Sequence, residues 1–245
     1  MLQILANPHR FVKFAALVLP WTAGMTVILF ALGLYYAIFA SPPDYQQGDS
    51  VRIMYVHVPA AWMAMMVYSL LALFAAASLI WRHPLADVMA KAAAPIGAGF
   101  TLIALVTGSL WGEPTWGTWW KWDARLTSVL VLFFFYLGHM ALTGAFDDAA
   151  RGARAAAILA LVGVINLPII KFSVEWWSTL HQPASILRLG APTIHSSMLT
   201  PLFLMAGAFL GYFLCLLILR TRSELAARRI RALRLLAVDD GARDQ

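Results

Sequence analysis

Residues 53–81 read IMYVHVPAAWMAMMVYSLLALFAAASLIW, 29 positions without one Asp, Glu, Lys or Arg. A helix that crosses a bilayer needs roughly 20 consecutive apolar residues. This stretch exceeds that length and sets the fold class. Outward from it, uncharged stretches occupy 14–43, 92–112, 126–146, 155–170 and 189–219. All but 155–170 reach the spanning length. That short one is extended if Lys171 at its edge snorkels its ammonium to the interface. The expected fold is an all-α integral membrane protein, a single-domain bundle of six transmembrane helices. Its approximate spans are 14–40, 57–81, 92–111, 126–146, 155–174 and 197–219, followed by a basic tail over 220–245. An even number of spans places both termini on the same side.

Composition excludes several classes. Of 245 residues 61% are hydrophobic and 12% charged, with mean hydropathy +0.74. Soluble domains carry about 25% charged residues, so a water-soluble globular enzyme is ruled out. Cys215 is alone, which removes a disulfide framework, a thiol redox pair and a cysteine metal site. The Walker-type glycine–lysine loop is missing, so the chain is not expected to hydrolyse nucleotides. Ion-coupled transporters place charged residues within their spans, and these spans have none apart from Lys171 at an edge. The first apolar stretch is too long for a signal-peptide core and lacks a small-x-small cleavage site, so an uncleaved first helix is expected.

Lys and Arg give the orientation. Arg10 and Lys13 precede the first span, Arg82 and Lys91 lie between the second and third, and Arg151 and Arg154 between the fourth and fifth. Arg220, Arg222, Arg228, Arg229, Arg231, Arg234 and Arg243 follow the sixth. That side, with 13 of the 18 basic residues, is expected to be cytoplasmic. The net charge of +6 is thus a topology signal and calls for no nucleic acid. Leu225, Ile230, Leu233 and Leu236 recur at helical spacing between the arginines of the tail, as in a helix lying on the membrane surface.

The opposite side presents loops at about 41–56, 112–125 and 171–190. Trp111, Trp116, Trp119, Trp120 and Trp122 fall within twelve residues, and Trp176 and Trp177 lie in the third loop. An aromatic belt at the headgroups explains one or two tryptophans per helix end. Five in one segment, interleaved with Gly112, Glu113, Gly117, Lys121 and Asp123, suit a broad apolar platform for a large planar ligand. Among the six histidines, His9 and His83 lie on the basic side, and His139 and His195 suit structural hydrogen bonds. His57 and His181 flank the tryptophan loop on its own side. Pro59 is expected in the first turn of the second span. If 173–181 is a short interfacial helix, Trp177 and His181 are i, i+4 neighbours. Two neutral imidazoles can hold a haem iron from opposite faces. No Ser/His/Asp or Cys/His cluster supports nucleophilic or acid–base catalysis, so binding and transfer are expected rather than enzymatic turnover. Asp123 suits an ion pair with Arg125 or an N-cap for the fourth span.

Residues 116–123, WGTWWKWD, resemble the W-G-x-x-W-x-W-D signature of the WWD haem-handling proteins of cytochrome c biogenesis. The length, six spans and two flanking histidines resemble the CcmC branch of that superfamily. The segments YQQG at 45–48, HVPAA at 57–61, DARLTS at 123–128, NLPII at 166–170 and SVEWW at 173–177 extend the likeness over most of 41–182. The termini and 183–200 are less distinctive, and the chain is too short for the larger branches.

The resemblance implies haem b, bound transiently and without a covalent link, at the periplasmic face of the bacterial inner membrane. It makes His57 and His181 the axial ligands. Trp116, Trp119, Trp120, Trp122 and Asp123 become the haem platform and the docking face for the haem chaperone CcmE, on which haem becomes covalently attached. An ATPase–permease pair, CcmA and CcmB, and the small membrane protein CcmD are the further implied partners, beside the lipid bilayer. Arg52, Lys121, Arg125 and Arg188 are candidates for the haem propionates, with Arg125 nearest the motif. Two alternatives stay open: a permease subunit that moves haem or another hydrophobic solute through the bundle, and an oxidoreductase component that keeps its haem and recruits His139 and His195.

Overall fold

The computed structural model describes residues 7–183, 185–186 and 191–243. Among them, seven α-helices build six candidate spans. Helix α1 is Pro8–Tyr35, continued by a π-helical turn to Ala40. Helix α2 is Met54–Trp81, entered through a 3-10 turn at Asp49–Ile53. Helices α3, Ala86–Trp116, and α4, Ala124–Gly144, follow. The fifth span is α5, Ala149–Gly163, plus α6, Asn166–Trp176; α7 is Ser196–Arg243. The all-α, six-span fold class expected from the uncharged stretches is what the chain adopts, with no strand among the described residues.

The break in the fifth span has a local cause. Pro168 lacks the N–H that would bond the carbonyl of Val164, and its ring crowds that carbonyl. The helix accordingly turns at Val164–Ile165 and restarts at Asn166.

The bundle has three layers. The α2–α3 pair forms the centre, α1 and α7 pair on one side, and α4, α5 and α6 pack on the other. Close packing at the second interface depends on missing side chains. A Cβ on Gly97 would stand 2.2 Å from the Tyr136 ring, and one on Gly163 would stand 1.9 Å from the Tyr68 hydroxyl. Tyr136 donates to the carbonyl of Ala64 at 2.8 Å, and Asn166 donates through Nδ2 to the carbonyl of Ser128 at 2.8 Å. Such bonds matter here because hydrocarbon offers polar groups no water. His139 departs from the expected satisfied role: it is buried and its Nδ1 has no partner among the described residues. His195 does bond, at 2.8 Å from the Ser197 hydroxyl at the start of α7.

The tail differs from a separate surface helix. Helix α7 runs unbroken for 48 residues, about 72 Å at 1.5 Å per residue, against a hydrocarbon core of about 30 Å. Leu225 packs on the small cluster of Phe11, Ala15 and Leu85. Lys91 pairs with Glu224 at 3.0 Å, and Arg228 with Asp87 at 2.8 Å. These contacts bind the first turns of the tail to α3 and keep it in line with the span, while Ile230, Leu233 and Leu236 stay exposed.

Candidate functional site

The N-terminal ends of α2 and α4 and the C-terminal ends of α3 and α6 carry His57, Asp123, Trp116 and Trp176 to one end of the bundle. His57 stands in the first turns of α2. Because the chain is already helical from Asp49, Pro59 lies inside α2 and not in its first turn as expected. Arg52 holds this entry. It pairs with Asp49 at 3.0 Å and donates to the carbonyls of Ala37, at 2.8 Å, and Ile38.

The His57 Nδ1 is 3.1 Å from the Ala104 carbonyl and 3.2 Å from the Thr107 hydroxyl. A carbonyl only accepts, so Nδ1 carries a proton, and in the neutral ring Nε2 keeps the lone pair. Trp111 backs the ring edge to face, centroids 5.7 Å apart, and donates its own N–H to Gln47 Oε1 at 2.8 Å. Gln47 and Trp111 therefore support His57. The sequence displayed both within conspicuous segments, but no spacing rule links positions so far apart.

His181 is reached differently from the expectation. Helix α6 ends at Trp176, and Trp177 is extended at φ −136°, ψ 157°, so Trp177 and His181 are not helical neighbours. The chain is drawn instead toward α4, where Leu180 N–H donates to Asp123 Oδ2 at 3.4 Å. The partner of His181 is Trp116, with centroids 4.8 Å apart and planes at 62°. Burial, helped by the charge of Arg125 and by nearby His57 and opposed by Asp123, pushes the His181 pKa down to about 4. The ring is neutral at physiological pH, and its Nδ1 is buried without a partner among the described residues.

Asp123 is the N-cap of α4, accepting from Leu126 N–H at 2.8 Å through one oxygen while the other holds Leu180. It makes no ion pair with Arg125 among the described residues. Arg125 crosses to α6, donating through Nε to Ser173 Oγ at 3.1 Å and through Nη2 to the carbonyls of Ile170 and Lys171 at 3.4 Å. Of the other cations, Arg52 is held as above, Lys121 is exposed, and Arg188 lies outside the described residues.

The tryptophans divide by exposure. Gly117, at φ 72°, ends α3 in the left-handed conformation that favours glycine, and Gly112 has no Cβ to meet the Trp116 ring, which would be 3.1 Å away. Trp116 is thereby turned inward against His181. Trp119 and Trp122 are 57% and 75% exposed, and Trp176 and Trp177 are also open. Trp120 packs on Trp122 at 5.4 Å, its N–H buried without a partner among the described residues. At one end of the bundle the site has two imidazoles, one with Nδ1 committed as a donor and one with a ring nitrogen unpartnered among the described residues, together with exposed indoles. That donor set fits a planar metalloporphyrin such as haem: imidazole nitrogens for the iron, indoles for the ring.

Fold and site together define a multi-pass helical membrane protein with an aromatic, two-histidine face at one end. The family model described as "Heme exporter protein C" matches residues 1–236, and the chain belongs to that family. It is 59% identical over 232 residues to heme exporter protein C of Bradyrhizobium diazoefficiens, covering 95% of this chain and 88% of that protein. It is 49% identical over 220 residues to heme exporter protein C of Haemophilus influenzae, covering 90% and 89%. A ccmC-like mitochondrial protein of Marchantia polymorpha, whose name refers to cytochrome c biosynthesis, is 50% identical over 199 residues, covering 81% and 84%.

Proposed function

We propose that this chain binds haem b at the periplasmic face of the bacterial inner membrane and presents it for covalent attachment to a CcmE-like chaperone. The basic residues before the first span, between the second and third, and after the sixth support this orientation. The observation that carries the reading is His57, its Nδ1–H committed to the Ala104 carbonyl, at the same end of the bundle as His181 with its unpartnered ring nitrogen. Metal-ligating histidines commonly donate their other N–H to a backbone carbonyl, which fixes the ring and raises its basicity.

Haem is cargo here, and the iron supplies the coordination that the two imidazoles complete. His57 and His181 would hold the iron. Trp116 keeps His181 in place, and Trp119, Trp120 and Trp122 cover the ring and leave an edge open for the chaperone. Asp123 fixes the loop that carries His181. Arg125, tied to α6 through Nε and Nη2, retains Nη1 for a propionate. The chain itself performs presentation and not turnover. ATP hydrolysis belongs to a CcmA-like partner working with CcmB-like and CcmD-like membrane proteins.

The test is the visible spectrum of the chain purified in mild detergent, with and without the chaperone. Wild type should show a low-spin two-histidine spectrum, and His57→Ala and His181→Ala should each lose it. Trp119→Ala/Trp120→Ala should fail to load the chaperone. A spectrum indifferent to both histidines would overturn the ligand assignment and favour a permease that passes its solute through the bundle.

A further inference from the structure

The end of the bundle remote from the tryptophans holds a cavity of about 310 Å³ between α3 and α7, lined by Lys91, Ala92, Arg220, Ser223, Glu224 and Ala227. We infer that it is a binding site for a phosphate-bearing anion, supplied by the headgroup of an anionic phospholipid.

The charges of the cavity are uneven. Glu224 is a carboxylate, but its Oε1 receives Lys91 at 3.0 Å, Arg228 at 3.3 Å and Arg231 at 3.4 Å, while Arg228 also takes Asp87 at 2.8 Å. Three cations, Lys91, Arg228 and Arg231, against two carboxylates, Glu224 and Asp87, leave the cluster positive. Arg220 adds a further charge on the wall and, among the described residues, makes no ion pair or hydrogen bond, so its planar fork of donors is open for a phosphate. The Lys91 ammonium has three donors and gives one to Glu224. Ala92 and Ala227 leave the space between them.

The depth of the cavity names the source. The apolar run of α7 ends at Leu219, itself exposed, and Arg220 is the first charge after it. A group seated between Lys91 and Arg220 therefore lies where hydrocarbon gives way to headgroups, with Leu219 beside the acyl chains. Basic pockets between spans at this level recognise anionic lipid headgroups. A soluble phosphate has the same chemistry but gains nothing from Leu219.

The experiment places the full chain in nanodiscs of phosphatidylcholine alone or with phosphatidylglycerol, and separately adds inorganic phosphate to the first. Thermal unfolding and native mass spectrometry give stability and retained lipid. Phosphatidylglycerol should raise the unfolding midpoint and remain as one bound lipid. Arg220→Ala should weaken that response at least about tenfold, the loss of one charge-assisted contact, and Arg220→Glu should abolish it. Arg229→Ala, exposed and outside the cavity, should respond as wild type. A response to inorganic phosphate that Arg220→Ala removes would support the anion site and assign it to a soluble ligand. Equal responses from wild type, Arg220→Ala and Arg220→Glu, or none from wild type, would overturn the proposal. Neither Arg220 variant touches the aromatic face, so the haem reading stands or falls separately.

Discussion

The indole of Trp116 meets the imidazole of His181 edge to face, 4.8 Å between centroids, across a gap of 65 positions in the chain. The pair shields the imidazole from water, and that burial holds its pKa near 4 against an ordinary 6.5. Between these values the unfolded chain binds a proton that the folded chain refuses. Stability should therefore be full above about pH 6.5 and fall as pH drops toward 4. His181→Gln should flatten this acid limb, and Trp116→Ala should flatten it partly by opening the ring to solvent. Unfolding midpoints measured from pH 7 to pH 4 check both; identical limbs for wild type and His181→Gln would contradict the burial.

Asp123 joins two jobs, and two substitutions separate them. Asparagine is as good an N-cap as aspartate, so Asp123→Asn should keep α4 capped through its side-chain oxygen. Its amide nitrogen, however, cannot accept from Leu180, so the His181 loop should loosen. Asp123→Ala should lose both, with about 1 kcal/mol of stability from the cap alone. Hydrogen exchange at residues 178–182 should quicken in both variants, while the amide of Leu126 should lose protection in alanine only. Unchanged exchange around His181 in both would place the control of that loop elsewhere.

The legibility of this fold differs from element to element for physical reasons. The six spans were readable because hydrocarbon forbids unpaired charge, so gaps between Lys, Arg, Asp and Glu mark them directly. Asp123 was readable as a cap because capping is a local bond, to Leu126. The path to His181 was not. Helical continuation past Trp176 is a sound local guess, but Asp123 and Trp116 override it from other segments. The entry to α2 was misplaced for a related reason: Arg52 reaches back to carbonyls of the first span and helps hold a helical turn ahead of Met54. The expected Arg125–Asp123 pairing likewise gave way to the Ser173 hydroxyl and the carbonyls of Ile170 and Lys171, partway along α6.

The support behind His57 makes a separate prediction. Gln47→Leu takes the partner from the half-buried N–H of Trp111, which costs about 0.5–1.5 kcal/mol, the net worth of such a bond. Trp111→Phe removes that donor, keeps an aromatic ring beside His57 and leaves Gln47, half-buried, able to turn to water. The first should therefore destabilise at least as much as the loss of the bond, and adding it to the second should cost little more. A double-mutant cycle in detergent, read by thermal unfolding, should give a clear coupling energy. Simple additivity would mean that the bond at 2.8 Å contributes nothing to holding the 44–48 turn against Trp111.

The tightest test of the bundle itself compares two glycines on one helix. Gly97 and Gly99 are two positions apart in α3, so they face different directions by about 200°. An added Cβ at Gly97 would meet the Tyr136 ring at 2.2 Å, whereas at Gly99 nothing lies within 4 Å. Tyr136 has little freedom to yield, since its hydroxyl is spent on the Ala64 carbonyl and its ring stands against Tyr68 at 5.0 Å. Gly97→Ala should therefore push α4 away from α3 and cost about 1–3 kcal/mol as overpacking. Gly99→Ala should be neutral or stabilising, because alanine is the better helix former by about 1 kcal/mol. Thermal unfolding of the two variants in the same detergent checks the pair. Because Tyr136 lies on α4, whose N-cap is Asp123, the Gly97→Ala displacement should also reach the His181 loop. Faster exchange at residues 178–182 in that variant, and not in Gly99→Ala, is the expected mark of a rigid connection from the core to the aromatic face.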